Sequence, residues 1–233
     1  MRDFLERPIA HRGLHNENQI IENTLEAFEN AIQNDYLIEC DVVLSKDHEV
    51  LVFHDYDLKR LCNIERYIAD ISSKELININ LLNTKSKIPT LEEMFYLVNG
   101  RVPILIEIKK NFNPFIEERL LELTRTYQGE IAFQSFDIKA CEWFRDNAPY
   151  YKTGLIVNDK IIDENEINKL NIKFIAVDVE ILMREDIQAL RKNNFPTLTW
   201  TIDNERNYKL SKEIQEISAT KIRAKMREEG KLK

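Results

Sequence analysis

The feature that most constrains this chain is a regular alternation of short apolar runs with amphipathic stretches of helical period. The apolar runs are rich in β-branched and aromatic residues and bounded by polar residues, a pattern typical of buried strands. Strands that alternate with helices form a mainly parallel sheet, and a barrel is the single-domain form that suits 233 residues. The runs are Pro8–His11, Leu37–Val43, Val50–His54, Pro103–Lys109, Ile131–Phe136, Thr153–Val157, Ile172–Val179 and Pro196–Ile202.

Helices are predicted between these runs. Asn23 as an N-cap, with Glu26 three residues later, predicts the start of the first helix. Thr90 and Glu93 have the spacing of a capping box. No Gly/Ser/Pro-rich linker interrupts the pattern, so we predict a single TIM (β/α)8-type barrel domain over residues 1–233. The predicted helices are Thr24–Gln33, Leu91–Val98, Phe115–Tyr127 and Arg184–Asn193.

One connection breaks the alternation. No helix fits between Asp41 and Val50, and the turn-like sequence there predicts a β-hairpin in which Leu37–Leu44 runs out and Glu49–His54 runs back. A turn centred near Lys46–Asp47 places His54 roughly level with Glu39, which brings an imidazole beside a carboxylate. Without the returning arm, the sequence shows seven barrel strands.

Composition excludes some classes of function. A formal charge of -7 argues against a nucleic-acid-binding protein, because such a protein needs a basic face to replace phosphate counterions. Cys40, Cys62 and Cys141 are scattered, which fits a reducing compartment better than a disulfide framework. The first residues are charged where a signal peptide is apolar, and no apolar run reaches the roughly 18 residues that span a bilayer. We therefore expect a cytoplasmic protein without stable membrane association.

Three carboxylates project from otherwise apolar strands. Glu39 and Asp41 are two residues apart, so both point to the same face, and Glu107 and Lys109 repeat that spacing. Isolated pairs of this kind are often exposed charges at the rim of a barrel. Two such pairs near the carboxyl ends of strands instead predict a site, since clustered carboxylates repel unless a cation joins them. Oxygen-only ligands favour one divalent ion, Mg²⁺ or Ca²⁺.

Two histidines and two basic residues lie near the same strand ends. His11 ends the first strand and His54 ends the hairpin, and an imidazole can act as a general acid or base near neutral pH. Either histidine alone would more simply be structural; together, in these positions, they predict catalysis. Arg12 and Lys109 can contact a phosphate oxygen. The sequence Glu22-Asn23-Thr24 is explained sufficiently by a helix start.

These residues stand in the order of a known family. The chain resembles the glycerophosphodiester phosphodiesterases from about residue 8 to residue 203, and the ordered set of motifs is far more specific than any one of them. The motifs are His11-Arg12-Gly13, Glu22-Asn23-Thr24, Glu39-Cys40-Asp41-Val42, His54-Asp55, Pro89-Thr90-Leu91-Glu92-Glu93, Glu107-Ile108-Lys109, Gln134-Ser135-Phe136 and Trp200-Thr201.

The resemblance implies a role for each site residue. It also implies that Tyr56–Lys87 is a small cap insertion over the barrel mouth, which helps to select the leaving alcohol. The implied roles are metal ligands for Glu39, Asp41 and Glu107, an acid/base pair for His11 and His54, phosphate contacts for Arg12 and Lys109, a nearby carboxylate for Glu22, and an aromatic wall beside the glycerol for Trp200.

Two places depart from the family pattern. Asp47-His48 stands where the family usually has Asp-Gly, which affects the turn type. The eighth strand should lie near Ile217–Ile222, but that segment is polar for a central parallel strand. We expect a weak or degraded eighth strand, the alternative being imperfect closure of the barrel. The basic tail Lys221–Lys233 fits a solvated terminal helix better than a membrane contact.

The resemblance implies metal-dependent hydrolysis of a small-molecule glycerophosphodiester to sn-glycerol 3-phosphate and an alcohol, with histidine acid/base catalysis. Two alternatives stay open at this point. One is a lysophospholipase D-like phosphodiesterase, and the other is a catalytically inactive member that only binds phosphodiesters.

Overall fold

The computed structural model describes residues 7–16, 19–109, 115–202, 205–206 and 220–222. Within them, one sheet contains nine strands, and each predicted apolar run overlaps one of them, with β2 and β6 each extending one residue beyond its run. The predicted α/β barrel is confirmed. The strands are β1 (Ile9–Ala10), β2 (Leu37–Leu44), β3 (Val50–Val52), β4 (Ile104–Ile108), β5 (Ile131–Ser135), β6 (Lys152–Val157), β7 (Phe174–Asp178), β8 (Thr197–Ile202) and β9 (Thr220–Ile222).

Parallel pairing closes the sheet on itself. The ladder runs from β1 through β2, β4, β5, β6, β7, β8 and β9 back to β1. The last strand, β9, pairs with β1 on one side, where Lys221 lies opposite Ile9. On its other side β9 pairs with β8, and that ladder has an irregular register. The strand β9 coincides with the end of the predicted weak strand, and residues 217–219 lie outside the described part of the chain. Among the described residues the ladder closes through β9, with an irregular register between β8 and β9.

Helices cover the outside of the barrel. The capping-box helix Leu91–Val98 has the predicted bounds, and its Thr90 and Glu93 make both capping contacts. Two helices between β5 and β7 were not predicted. Among the described residues the helices are α1 (Leu25–Gln33), α2 (Lys59–Cys62), α3 (Ser73–Leu76), α4 (Leu91–Val98), α5 (Ile116–Thr124), α6 (Ile138–Asn147), α7 (Glu164–Leu170) and α8 (Glu185–Lys192).

The start of α1 differs from the prediction by one residue. Thr24, not Asn23, is the N-cap, because the Thr24 hydroxyl accepts the N–H of Ala27 at 3.3 Å. Asn23 has a left-handed backbone, with φ of 55°, and its side chain points away from the helix towards β2. The capping role assigned to Asn23 is therefore wrong.

The strands β2 and β3 form the predicted hairpin. Val52 opposes Val42, and the N–H of Phe53 donates to the carbonyl of Asp41. This register places His54 opposite Cys40 rather than Glu39, one residue from the prediction. In the turn, His48 adopts a φ of 64°, the left-handed conformation that a glycine would adopt most readily at that position.

The segment between β3 and α4 contains α2, a 3-10 turn (Ile68–Asp70) and α3. It has its own apolar cluster, in which buried side chains such as Leu58, Ile68 and Leu76 pack against Val43 and Phe53 of the hairpin. Burial of this cluster fixes the segment beside the end of β2. Among the helices of the described residues, none combines the length and the apolar character required to cross a bilayer.

Strand alternation sets what the barrel encloses. Ile9, Leu37, Leu105, Phe174 and Leu198 are fully buried and fill its interior. Side chains two residues further along a strand point to the same interior, but nearer the carboxyl end. The residues two positions after Ile9, Leu37, Leu105, Ala132 and Leu198 are polar or amphipathic, which builds a site at that end: His11, Glu39, Glu107, Gln134 and Trp200.

Candidate active site

The three predicted carboxylates meet at the carboxyl end of the barrel. Asp41 on β2 lies opposite Glu107 on β4, and Glu39 precedes them on the same face of β2. One carboxylate oxygen from each of the three residues lies within 4.8 Å of the others. All three are buried, with residue exposures of 0%, 0% and 4% for Glu39, Asp41 and Glu107. The sequence prediction that they form one cluster is confirmed.

Two basic side chains approach the cluster. The Lys109 ammonium lies 2.9 Å from Asp41 Oδ1 and also contacts Glu107, and Arg12 Nε lies 3.4 Å from Asp41 Oδ2. Burial alone would raise the pKa of the Asp41 carboxyl. The charges of Lys109 and Arg12, and to a smaller extent the two histidines, outweigh burial and hold that pKa well below its usual range.

Burial likewise disfavours the charge on Lys109, but Asp41 and Glu107 raise the pKa of its ammonium above the ordinary value. The Lys109 ammonium is therefore fully protonated at neutral pH. The site combines buried negative charge with fixed positive charge.

The loop after β1 is shaped to deliver Arg12. The backbone of Arg12 is left-handed, with φ of 58°, and the N–H of Arg12 donates to Glu39 Oε2 at 2.9 Å. The next residue, Gly13, also has a positive φ, and a Cβ there would lie 2.7 Å from the Cβ of Ala27. Only glycine allows this close approach of the loop to α1.

Asn23 is a site residue that the sequence analysis missed. Its Nδ2 donates to Asp41 Oδ2 at 2.8 Å, while its Oδ1 accepts the backbone N–H of Asp41 at 3.3 Å. The two bonds fix the Asp41 carboxylate relative to its own strand. The available signal was an asparagine just before a threonine N-cap, since asparagine tolerates a left-handed backbone.

Both histidines lie close enough to the cluster to act electrostatically on Asp41. His11 is 6% exposed, and its Nε2 lies 3.9 Å from Glu39 Oε2. His54 is more accessible and lines an open pocket with Lys109. His54 Nδ1 lies 2.6 Å from Asp55 Oδ1. Although burial opposes it, bonds from His54 and Arg60 lower the pKa of Asp55, so Asp55 is ionised and accepts the Nδ1 proton.

Glu22 belongs to a network of ion pairs. It accepts from Arg12 at 2.9 Å and from both terminal nitrogens of Arg60 at 2.6 and 3.0 Å. Arg60 Nε in turn donates to Asp55 Oδ2 at 2.7 Å. Arg60 of α2 thus links Glu22, which holds Arg12, to Asp55, which holds His54, and the sequence analysis gave Arg60 no role.

A polar and aromatic wall faces this network. Gln134 on β5 is fully buried, and its Nε2 donates to Glu39 Oε1 at 3.3 Å. Trp200 on β8 meets the exposed ring of Phe136 edge to face, with centroids 6.0 Å apart. Gln134 and Phe136 belong to the family motif Gln134-Ser135-Phe136, but the sequence alone did not predict which residues either side chain contacts.

The chemistry of the donor set fits a hard divalent cation. Three buried carboxylates carry more negative charge than Arg12 and Lys109 neutralise, and burying unbalanced charge is costly. Carboxylate oxygens are the ligands that Mg²⁺ and Ca²⁺ prefer, and here they converge within one coordination sphere. The arrangement can hold an ion beside an anionic substrate.

Comparison with known proteins decides the family. The model of the glycerophosphoryl diester phosphodiesterase family matches residues 11–220, most of the chain. The chain belongs to this family. The resemblance inferred from the ordered motifs is confirmed, and with it the class of enzyme, a phosphoric diester hydrolase.

Relatives and solved structures support the assignment. A glycerophosphodiester phosphodiesterase of Caldanaerobacter subterraneus is 28% identical over 217 residues, covering 85% of this chain and 86% of that protein. A lysophospholipase D of Rattus norvegicus is 34% identical over 140 residues, covering 54% of this chain and 43% of the relative. The fold matches an Oleispira antarctica phosphodiesterase in complex with its product sn-glycerol 3-phosphate, with a TM-score of 0.85, 21% identity, and coverage of 98% and 97%.

Proposed function

We propose that this family member hydrolyses glycerophosphodiesters to sn-glycerol 3-phosphate and an alcohol, with one Mg²⁺ or Ca²⁺ ion. The observation that carries the proposal is the buried cluster of Glu39, Asp41 and Glu107, whose oxygens lie within 4.8 Å of one another. Glycerophosphodiester phosphodiesterases are also the relatives that match most of its length.

The metal site is formed by the three carboxylates. Glu39, Asp41 and Glu107 would hold the ion, and Asn23 and Gln134 would fix two of them by the hydrogen bonds to Asp41 and Glu39. A bound divalent ion neutralises phosphate charge and orients the substrate. No soft or nitrogen ligand lies in this cluster of described residues, which favours Mg²⁺ or Ca²⁺ over Zn²⁺.

The phosphate is bound by fixed positive charge. Lys109 lines the open pocket beside His54, so its ammonium can reach an anion there. Arg12 is held by Glu22 and Asp41, which orients its guanidinium towards the cluster. Such preorganised cations stabilise negative charge that develops on the phosphate oxygens.

His11 and His54 divide the proton transfers. One removes a proton from the nucleophile and the other protonates the departing alkoxide oxygen, so the phosphorus–oxygen bond breaks without releasing a free alkoxide. Asp55 holds the Nδ1 proton of His54 and leaves Nε2 as the atom for transfer. His11 lies deeper, next to Glu39.

The remaining assignments concern substrate selection. Trp200 with Phe136 forms a wall for the glycerol moiety, and Glu22, predicted among the residues around the substrate, orients Arg12. The segment 56–87 is the cap that selects the leaving alcohol, within a single domain. A cytoplasmic location stays a prediction from the sequence.

The test is release of sn-glycerol 3-phosphate, measured with a coupled enzyme on glycerophosphocholine, glycerophosphoethanolamine and glycerophosphoglycerol. We expect activity that chelator abolishes and that Mg²⁺ or Ca²⁺ restores. Folded protein that releases no glycerol 3-phosphate at any concentration of either ion would contradict the proposal and favour an inactive, phosphodiester-binding member.

A second candidate is lysophospholipase D activity, which the rat relative named above favours over part of the chain. It predicts turnover of lysophosphatidylcholine in the same metal-dependent assay, read as choline release. A higher kcat/KM for lysophosphatidylcholine than for glycerophosphocholine would establish this activity as the main one.

A further inference from the structure

The open pocket lined by His54 and Lys109 is called the catalytic pocket here. An apolar cavity of about 320 Å³ adjoins it. Its buried lining is aliphatic, formed by Val43 and Leu44 at the end of β2 and by Ile68 of the 3-10 turn, with Ala69 at the exposed edge. The described residues that line it include no basic side chain, and Asp70 is their single carboxylate. A phosphate would therefore not be stabilised in this cavity.

Two tyrosines belong to both spaces. Tyr56 and Tyr67 line the apolar cavity and also the catalytic pocket with His54 and Lys109. Their side chains are left open to solvent, with residue exposures of 45% and 62%. Large aromatic rings exposed at the junction of two pockets are typical of a surface that a ligand covers.

The two adjoining spaces have opposite character. The catalytic pocket presents the Lys109 ammonium and the His54 imidazole to an anion, whereas the adjoining cavity offers aliphatic and aromatic surface. An amphiphilic phosphodiester has the same division between a charged phosphate and an apolar chain. The aliphatic lining suits an alkyl chain better than a quaternary ammonium, which is bound by a cage of aromatic faces.

We propose that this cavity is a subsite for an alkyl or acyl chain on the leaving alcohol of a glycerophosphodiester. The inference rests on the proposed function, in which Trp200 and Phe136 take the glycerol side and the segment 56–87 takes the leaving alcohol. The preferred substrates are then glycerophosphodiesters whose leaving alcohol carries a chain long enough to reach past Tyr56 and Tyr67.

The experiment uses the metal-loaded full chain and four synthetic diesters of glycerol 3-phosphate with ethanol, butanol, hexanol and octanol. Each buried methylene contributes about 0.8 kcal/mol, so we expect kcat/KM to rise about two- to fourfold per methylene until the cavity is filled. Ala69→Trp, which fills the exposed edge of the cavity, should lower the octyl-to-ethyl ratio of kcat/KM at least about tenfold.

The matched control is Ala189→Trp on α8, which should leave that ratio and the basal activity unchanged. Metal-dependent hydrolysis of all four esters at equal kcat/KM would overturn the subsite while leaving the proposed function intact. Failure to hydrolyse any ester would overturn the proposed function itself. A preference for lysophosphatidylcholine over the octyl ester would also overturn the inference, because its chain is on the glycerol side.

Discussion

At the scale of single residues, Asp41 is the most constrained group of the site. It accepts from Asn23 and contacts Lys109 and Arg12, all on one buried carboxylate. The sequence predicted Asp41, Glu39 and Glu107 because strand alternation fixes the direction of a side chain. It could not predict Asn23, since that contact depends on a loop residue adopting a left-handed backbone, and no periodicity reports that choice.

The proposal that one of His11 and His54 is the general base and the other the general acid gives a prediction for single residues. His11→Ala and His54→Ala should each lower kcat at least about 100-fold on an alkyl diester of glycerol 3-phosphate. A p-nitrophenyl diester has a leaving group that departs without protonation. The variant that lacks the general acid should therefore regain most of its rate on it, while the other stays impaired.

The measurement is kcat for both variants on both esters, with folding checked by circular dichroism. Equal impairment of the two variants on the p-nitrophenyl ester would contradict the assignment of one acid and one base. A near-normal rate on the alkyl ester would remove that histidine from the mechanism.

At the scale of elements, Arg60 of α2 links the segment 56–87 to the barrel by ion pairs, in addition to the apolar packing of that segment against the hairpin. Arg60 bonds to Asp55 after β3 and to Glu22 before α1, and Glu22 is 38 positions away in sequence. The alternating pattern identified β2, β3 and the position of the segment. It could not identify this bridge, because a contact over that separation depends on how the segment packs against Val43 and Phe53.

Arg60 should therefore act as a positioning residue. Arg60→Ala removes the bonds that hold Asp55 and Glu22, so we expect kcat to fall about tenfold or more, while metal affinity changes less than about twofold. Arg60→Lys keeps the charge but cannot donate to both carboxylates in the same geometry, so it should recover only part of the rate.

Arg66→Ala is the matched control. Arg66 lies in the same segment, is exposed to a similar degree and pairs with the exposed Glu75. Its loss should change kcat by less than about twofold, because an exposed pair contributes little. Kinetics of all three variants with metal titrations provide the measurement, and an unchanged kcat in Arg60→Ala would contradict the positioning role.

At the scale of the whole molecule, β9 completes the cylinder that the other parallel strands begin. The sequence showed seven barrel strands by their apolar runs, but Thr220–Ile222 is short and polar, so its place followed only from the family spacing. Pairing with β1 and β8, rather than apolar content, defines this strand. Backbone hydrogen bonding of that kind leaves little trace in composition.

Closure gives a prediction about stability. Lys221→Pro removes a backbone donor from a central strand between β1 and β8, so it should lower the free energy of unfolding by about 2 kcal/mol or more. Lys221→Ala keeps the donor and should cost less than about 0.5 kcal/mol. Thermal unfolding should show a lower Tm for the proline variant only; equal Tm values for the two variants would contradict closure through this strand.

One divalent ion held by three carboxylates is the claim on which the catalytic account depends. Isothermal titration of chelator-treated protein with Mg²⁺ and with Ca²⁺ measures it directly. We predict one site per chain for at least one of the ions, and binding at least about 100-fold weaker in Glu107→Gln. Wild-type protein that binds neither ion, or a Glu107→Gln variant with unchanged affinity, would contradict the account.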